Sequence, residues 1–245
     1  MPISTRQPVR QALSLAALAA ILVLTGCQGL IGNPSSSQVR IIDVSPDAPS
    51  LDIYQSHDAL AYSLGFGTIT SYMPVTPGTY TIAANSSGTS QVISSVKGSF
   101  LPASQYTVLI GDAARAQQLT LKDQNQPAPS GQIALRFIGQ ATRARAVDIY
   151  LVPPGQTLAD ARPIATSVNT GVNTGYLNIP TGTYTIVMLA AGAIPIESAL
   201  PVYTGTQVAY SDGSAHTIIL IDQLLVSGYH LKVITADDYN PPSAS

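Results

Sequence analysis

Two stretches of the chain, VRIIDVSPDAPSLDIY at 39–54 and LRFIGQATRARAVDIY at 135–150, carry apolar residues at every second position near both ends. Val39, Ile41, Leu51 and Ile53 fall on one face of the first, and Leu135, Phe137, Val147 and Ile149 on the matching face of the second. That is the period of a half-buried strand. Beyond residue 38 the same texture continues, as short runs rich in Val, Ile, Thr and Tyr separated by turn residues. Almost nothing has a helical period; 157–161 alone leans that way, as a short turn.

The two stretches align without a gap, and the alignment goes on. YMPVTPGTYTI at 72–82 matches YLNIPTGTYTI at 176–186, YTVLIGD at 106–112 matches HTIILID at 216–222, and LTLKDQNQP at 119–127 matches VITADDYNP at 233–241. The separation between equivalents grows only by insertion, which is the mark of a duplicated domain. The expected organisation is a first domain over 39–127, a linker over 128–134 overlapping the Pro-rich QPAPSG at 126–131, and a second domain over 135–242. About seven strands per copy predict two tandem antiparallel β-sandwiches of immunoglobulin or transthyretin type rather than a barrel. Pro77-Gly78 suits a type II turn, Thr181-Gly182 keeps the glycine, and Asp212-Gly213 predicts a hairpin.

The chain opens differently. Arg6 and Arg10 precede a thirteen-residue apolar run at 12–24, which as a helix spans roughly 20 Å, short of a ~30 Å hydrocarbon core. This is the pattern of a secretory signal, and its exit, Leu24-Thr25-Gly26-Cys27, resembles the lipobox of bacterial lipoproteins. The resemblance implies cleavage after residue 26 and acylation, with palmitate-type chains, of Cys27, the only cysteine. An ordinary secretory signal with a chance cysteine is the other reading. Residues 28–38, rich in Gly, Pro and Ser, read as a tether. The expected location is extracytoplasmic, lipid-anchored to a bacterial membrane, and Gln28 beside the cysteine implies the outer membrane in a Gram-negative cell.

Composition narrows the chemistry. Charged residues are 10% of the chain; beyond residue 26, nine Lys and Arg face thirteen acids, a net charge of −4. No basic patch predicts nucleic-acid binding. Glu197 is the only glutamate, and His57, His216 and His230 have no zinc-ligand spacing. No Gly-x-Ser-x-Gly elbow occurs, although a dispersed Ser, His and Asp set could converge. Gly65-Phe66-Gly67 lacks the following glycine and helix of a phosphate loop and reads as a bulge or tight bend. Asp43, Asp47 and Asp58 around SPDAP suit calcium or turn capping, with capping favoured because copy two has Gly139 and Arg143 at the first two positions. Tyr80 and Tyr184 recur after the Gly-Thr step and read as structural. Arg40 with Asp52 and Arg136 with Asp148 survive duplication, and are expected to face each other across hairpins centred on Pro46 and Thr142, as exposed ion pairs. No catalytic residue, metal ligand or cofactor is assigned.

VSPDAPSLDIY, followed by LGFG, SYMPVTPGTYTI and QYTVLIGD, resembles the bacterial family called domain of unknown function 4397. The second copy keeps VDIY, Gly182-Thr183-Tyr184 and HTIILID but lacks SPDAP and LGFG. The resemblance implies an extracytoplasmic β domain and no established activity. Together these features predict a non-enzymatic, membrane-anchored envelope module for binding, adhesion or structure, with an envelope glycan or protein as partner. An envelope hydrolase or carbohydrate-active protein with a dispersed site is the alternative.

Overall fold

A computed structural model describes residues 36–111, 117–223 and 231–242. The first copy forms β1 (Ser37–Asp43), β2 (Leu51–Gln55), β3 (Asp58–Leu64), β4 (Met73–Val75), β5 (Gly78–Ser86), β6 (Val92–Phe100), β7 (Gln105–Ile110) and β8 (Gln118–Lys122). The second forms β9 (Gln132–Gly139), β10 (Val147–Val152), β11 (Pro163–Val168), β12 (Asn173–Pro180), β13 (Gly182–Ala190), β14 (Tyr203–Tyr210), β15 (Ala215–Asp222) and β16 (Leu231–Tyr239). The 157–161 turn is a single 3₁₀ turn, Leu158–Asp160.

Each copy is a sandwich of two four-stranded sheets. The orders are β4-β1-β7-β8 over β3-β2-β5-β6, and β12-β9-β15-β16 over β11-β10-β13-β14. The two copies therefore share one topology. The pairs β1–β7 and β9–β15 run parallel, and every other pairing is antiparallel. This order departs from the ABED and CFG division of immunoglobulin domains, which leaves the transthyretin type of the two expected.

The face parity read from the alternation holds. Val39, Ile41, Leu51 and Ile53 lie in the core of the first sandwich, and Leu135, Phe137, Val147 and Ile149 in that of the second. The hairpins do not form. β1 and β2 sit in opposite sheets, as do β9 and β10, so the residues share a core by pointing at one another across it. Asp212-Gly213 makes a turn, with Gly213 at φ 77, but it carries the chain from β14 in one sheet to β15 in the other. The stretch read as a linker is packed: β9 starts within it, and Ala128, 5% exposed, donates its N–H to Gly213 O at 2.8 Å. Ala128, Ala134 and Ala215 form a small cluster there with Tyr176 and Tyr239.

A third apolar cluster joins the copies. It unites Ile42, Val44, Leu109 and Leu121 of the first with Ile138, Ile219, Ile221, Ile234 and Ala236 of the second. β15 is buried at all eight positions and β9 at seven of eight, because one face meets its own sandwich and the other meets its neighbour. The described residues accordingly form one compact unit.

Candidate functional site

The two arginines that survive duplication converge where the two sandwiches meet. Arg40 stands beside Ile42 on the outward face of β1, and Arg136 beside Ile138 on that of β9; each is 2% exposed. Arg40 donates from Nε to Thr107 Oγ1 at 2.7 Å, from Nη1 to Asp237 O at 2.8 Å and from Nη2 to Asp238. Arg136 repeats this in reverse, from Nε to Thr217 Oγ1 at 2.9 Å, from Nη1 to Lys122 O at 3.1 Å and from Nη2 to Asp123 Oδ1 at 2.5 Å. Each arginine thus reaches the carboxylate of the other copy. Such reciprocity is what an isologous interface between two identical partners produces.

Threonine and tyrosine hydroxyls complete the lock. Thr107 and Tyr72 donate to Asp123 Oδ2 at 2.6 and 2.8 Å, while Thr217 and Tyr176 donate to Asp238 Oδ2 at the same two distances. The Tyr72 ring lies 4.7 Å from the Arg40 guanidinium and the Tyr176 ring 4.6 Å from that of Arg136. Burial acts to lower the Arg40 pKa, but the Asp238 and Asp123 carboxylates outweigh it and the net shift is upward. Burial drives the phenols of Tyr72 and Tyr176 upward, so both stay protonated donors.

The expected pairs of Arg40 with Asp52 and Arg136 with Asp148 are therefore incorrect, because opposite sheets keep their members apart. Asp52 and Asp148 do another job. Asp52 accepts the N–H of Ser63 at 2.9 Å and of Gly88 at 2.9 Å; Asp148 accepts those of Ser167 at 2.8 Å and Gly192 at 2.8 Å. Ser63 and Ser167 have positive φ at irregular points of β3 and β11, and Gly88 and Gly192 have positive φ in the β5–β6 and β13–β14 turns. One carboxylate pins a strand irregularity to a hairpin end in each copy.

Of the three aspartates considered for calcium, two are engaged by the fold. Asp43 is fully buried and its Oδ1 caps the N–H of Ser45 at 2.9 Å; Asp47 pairs with Arg143, its own positional equivalent, at 3.2 Å across the two copies; Asp58 begins β3 in an exposed position. Among the described residues no group of three acidic, histidine or cysteine side chains could hold a metal. Gly67 closes a turn, with Thr68 N–H on Gly65 O at 3.1 Å and its own N–H on Asp43 O at 2.8 Å. Copy two rebuilds this bend without the LGFG letters, through Gly171 and Gly139 O at 2.8 Å.

Pro77-Gly78 is not the predicted type II turn, since Gly78 has φ 154 rather than the value near +80° that turn requires. The glycine is needed for another reason: a Cβ there would lie 2.8 Å from the Tyr80 hydroxyl. Tyr80 and Tyr184 fold back over Gly78 and Gly182 and donate to Pro77 O at 3.4 Å and Pro180 O at 2.8 Å, a structural role like that of a tyrosine corner.

One constellation was not legible from spacing. His216 Nδ1 lies 2.9 Å from Asp237 Oδ1 and its Nε2 lies 3.0 Å from Ser214 Oγ, the connectivity of a Ser-His-Asp triad. The exposure is inverted: Ser214 is 1% exposed, whereas the Asp237 side chain is 59% exposed. A nucleophile must face its substrate, and this serine is enclosed. In strand register the copy-one equivalents are Ser104, Tyr106 and Lys122, so the relay belongs to copy two alone. An open cleft of about 470 Å³ beside it is lined by Arg40, Thr70, Ser71, Tyr72, Thr235 and Asp237. Cys27 and His230 lie outside the described residues.

No curated protein matches the chain. Solved structures described as alpha-glucan binding by a streptococcal virulence factor, and as alpha-glucan recognition by family 41 carbohydrate-binding modules from streptococcal virulence factors, are each 10% identical over 75% of this chain. The match covers 92% and 93% of those chains, with TM-scores of 0.25. The Bacillus anthracis TIE protein is 9% identical over 76% of this chain and 34% of its own, with a TM-score of 0.24. Similarity at that level carries no argument about ligands. Residues 37–150, from β1 through the VDIY strand β10, match the family described as Domain of unknown function (DUF4397), so the resemblance carried by SPDAPSLDIY, LGFG and PGTYTI stands over that span.

Proposed function

We propose that this chain is a non-enzymatic binding module of a bacterial cell envelope, carried on acyl chains at Cys27 and set off from the membrane by the 28–38 tether. The lipid chains follow from the Leu24-Thr25-Gly26-Cys27 exit. The observation that carries the absence of catalysis is the use of the duplicated polar residues: Arg40, Arg136, Asp123, Asp238, Asp52 and Asp148 all bond inward, to the other copy or to their own backbone. Catalytic groups have to turn towards substrate. These hold the scaffold that presents loops and sheet faces.

The Ser214–His216–Asp237 relay favours the hydrolase reading, and one pair of measurements separates the two. The mature protein should show acyl mass at Cys27, lost in Cys27→Ala, and should give no Ser214-dependent labelling with a fluorophosphonate. Labelling abolished by Ser214→Ala would establish a reactive serine and defeat the module reading; a mature form without acyl chains would defeat the anchor.

A further inference from the structure

We propose that the outer face of the β3-β2-β5-β6 sheet is the binding face of this module and that it takes a neutral glycan chain. The proposal rests on the binding-module reading and adds its site and ligand class.

The argument starts from the two copies. In the second, Tyr150, Val187 and Leu189 line the outer face of the equivalent sheet and are buried under Leu158, Ala161 and Ala199, side chains from the long β10–β11 connection and the β13–β14 loop. In the first, those connections shrink to Ser56-His57 and to a short turn at 87–91. The roof is gone. Register places Tyr54 where Tyr150 lies, Ala83 where Val187 lies and Asn85 where Leu189 lies, so the apolar residues that needed a roof are replaced as well. Tyr150 is 2% exposed, whereas Tyr54 is partly exposed and Tyr62, edge-on to it at 6.4 Å, is 68% exposed.

The chemistry of the bared face selects its occupant. Thr81, Ala83, Asn85 and Ser95 stand outward beside the ring pair, giving short neutral hydrogen-bonding groups in rows set by the strand spacing. Lys97 adds one positive charge, too little for a nucleic acid. The tyrosine rings are interrupted by Thr81, Ser95 and Asn85, so the face lacks the contiguous apolar patch that a membrane surface takes. A chain of neutral sugars offers what remains: hydroxyls for the Thr, Ser and Asn groups, and C–H faces for the tyrosine rings.

Affinity electrophoresis of the full mature chain through gels holding a neutral glucan, a neutral mannan or an acidic polysaccharide tests this. Retardation is expected in at least one neutral gel, with the apparent Kd raised at least tenfold by Tyr62→Ala and by Ala83→Arg and unchanged by Leu200→Ser in the second sandwich, all at unchanged Tm. Neutral-polysaccharide binding that survives both face substitutions overturns the proposed face while leaving a binding module. Retardation in the acidic gel only, or in none, overturns the ligand class. A reactive Ser214 overturns the underlying reading instead, and the two failures stay distinct.

Discussion

Asp43 and Asp52 are both buried aspartates of the first sandwich, and their surroundings push them in opposite directions. Asp52 is held below the usual carboxylate range by the N–H groups of Ser63 and Gly88. Its contribution to stability is present above the unfolded pKa and is lost as pH falls through the depressed folded value. Asp43 has one oxygen capped by Ser45 and an Oδ2 with no partner, and burial pushes it up to about 6. The sign reverses. Between about 4 and 6 the unfolded chain loses this proton before the folded one, so stability falls as pH rises, by about 2 to 3 kcal/mol in all. Wild type should therefore lose stability relative to Asp43→Asn as pH is raised from 4 to 7, as read by thermal melts; a difference independent of pH would contradict the burial argument. Asp148→Ala leaves the Ser167 and Gly192 amides without their acceptor. A loss of about 1 to 3 kcal/mol is expected, with faster hydrogen exchange at those two amides. Unchanged exchange would show that the carboxylate does not pin them.

Strands and pairings show where sequence reasoning stops. The alternation in VRII and LDIY identified the inward faces, because both sheets of a sandwich point at one core and parity is a local property. It could not say that β1 and β2 belong to opposite sheets, because nothing local separates a hairpin from an arch; SPDAPS serves either. The second interface did leave a trace. Ile42, Leu109, Ile138, Ile219 and Ile221 put apolar side chains on the faces that alternation assigns to solvent, as strands covered on both sides do. With that face buried, Arg40 and Arg136 could not be exposed members of surface pairs. The partners Asp123 and Asp238 each follow the residue that register sets opposite Tyr106 and His216, but the gapless alignment of LKDQNQP with TADDYNP pairs Asp123 with Asp237, and both carboxylates lie too far along the chain for spacing to connect them to the arginines. Arg40→Ala should cost about 3 to 5 kcal/mol, since it strands Asp238 in the interior. A double-mutant cycle should give Arg40 a coupling above about 1 kcal/mol with Asp238 and within about 0.5 kcal/mol of zero with Asp52. Coupling to Asp52 instead would restore the hairpin pairing.

At the scale of the molecule, duplication has been turned inward. Each copy carries an arginine, a threonine, a tyrosine and a carboxylate, and the lock closes only when one copy's arginine meets the other copy's carboxylate. The apolar cluster of Ile42, Leu109, Ile138 and Ile219 surrounds that lock, and Ala128 fastens the connection between copies to Gly213. Two sandwiches joined this way are not beads on a string. The bared sheet face of the first and the roofed face of the second are then presented in a fixed relation. Differential scanning calorimetry tests this most directly. One transition with equal calorimetric and van't Hoff enthalpies is predicted for wild type; two transitions, or a calorimetric enthalpy about twice the van't Hoff value, would mean that the sandwiches melt independently and that the reciprocal lock does not join them.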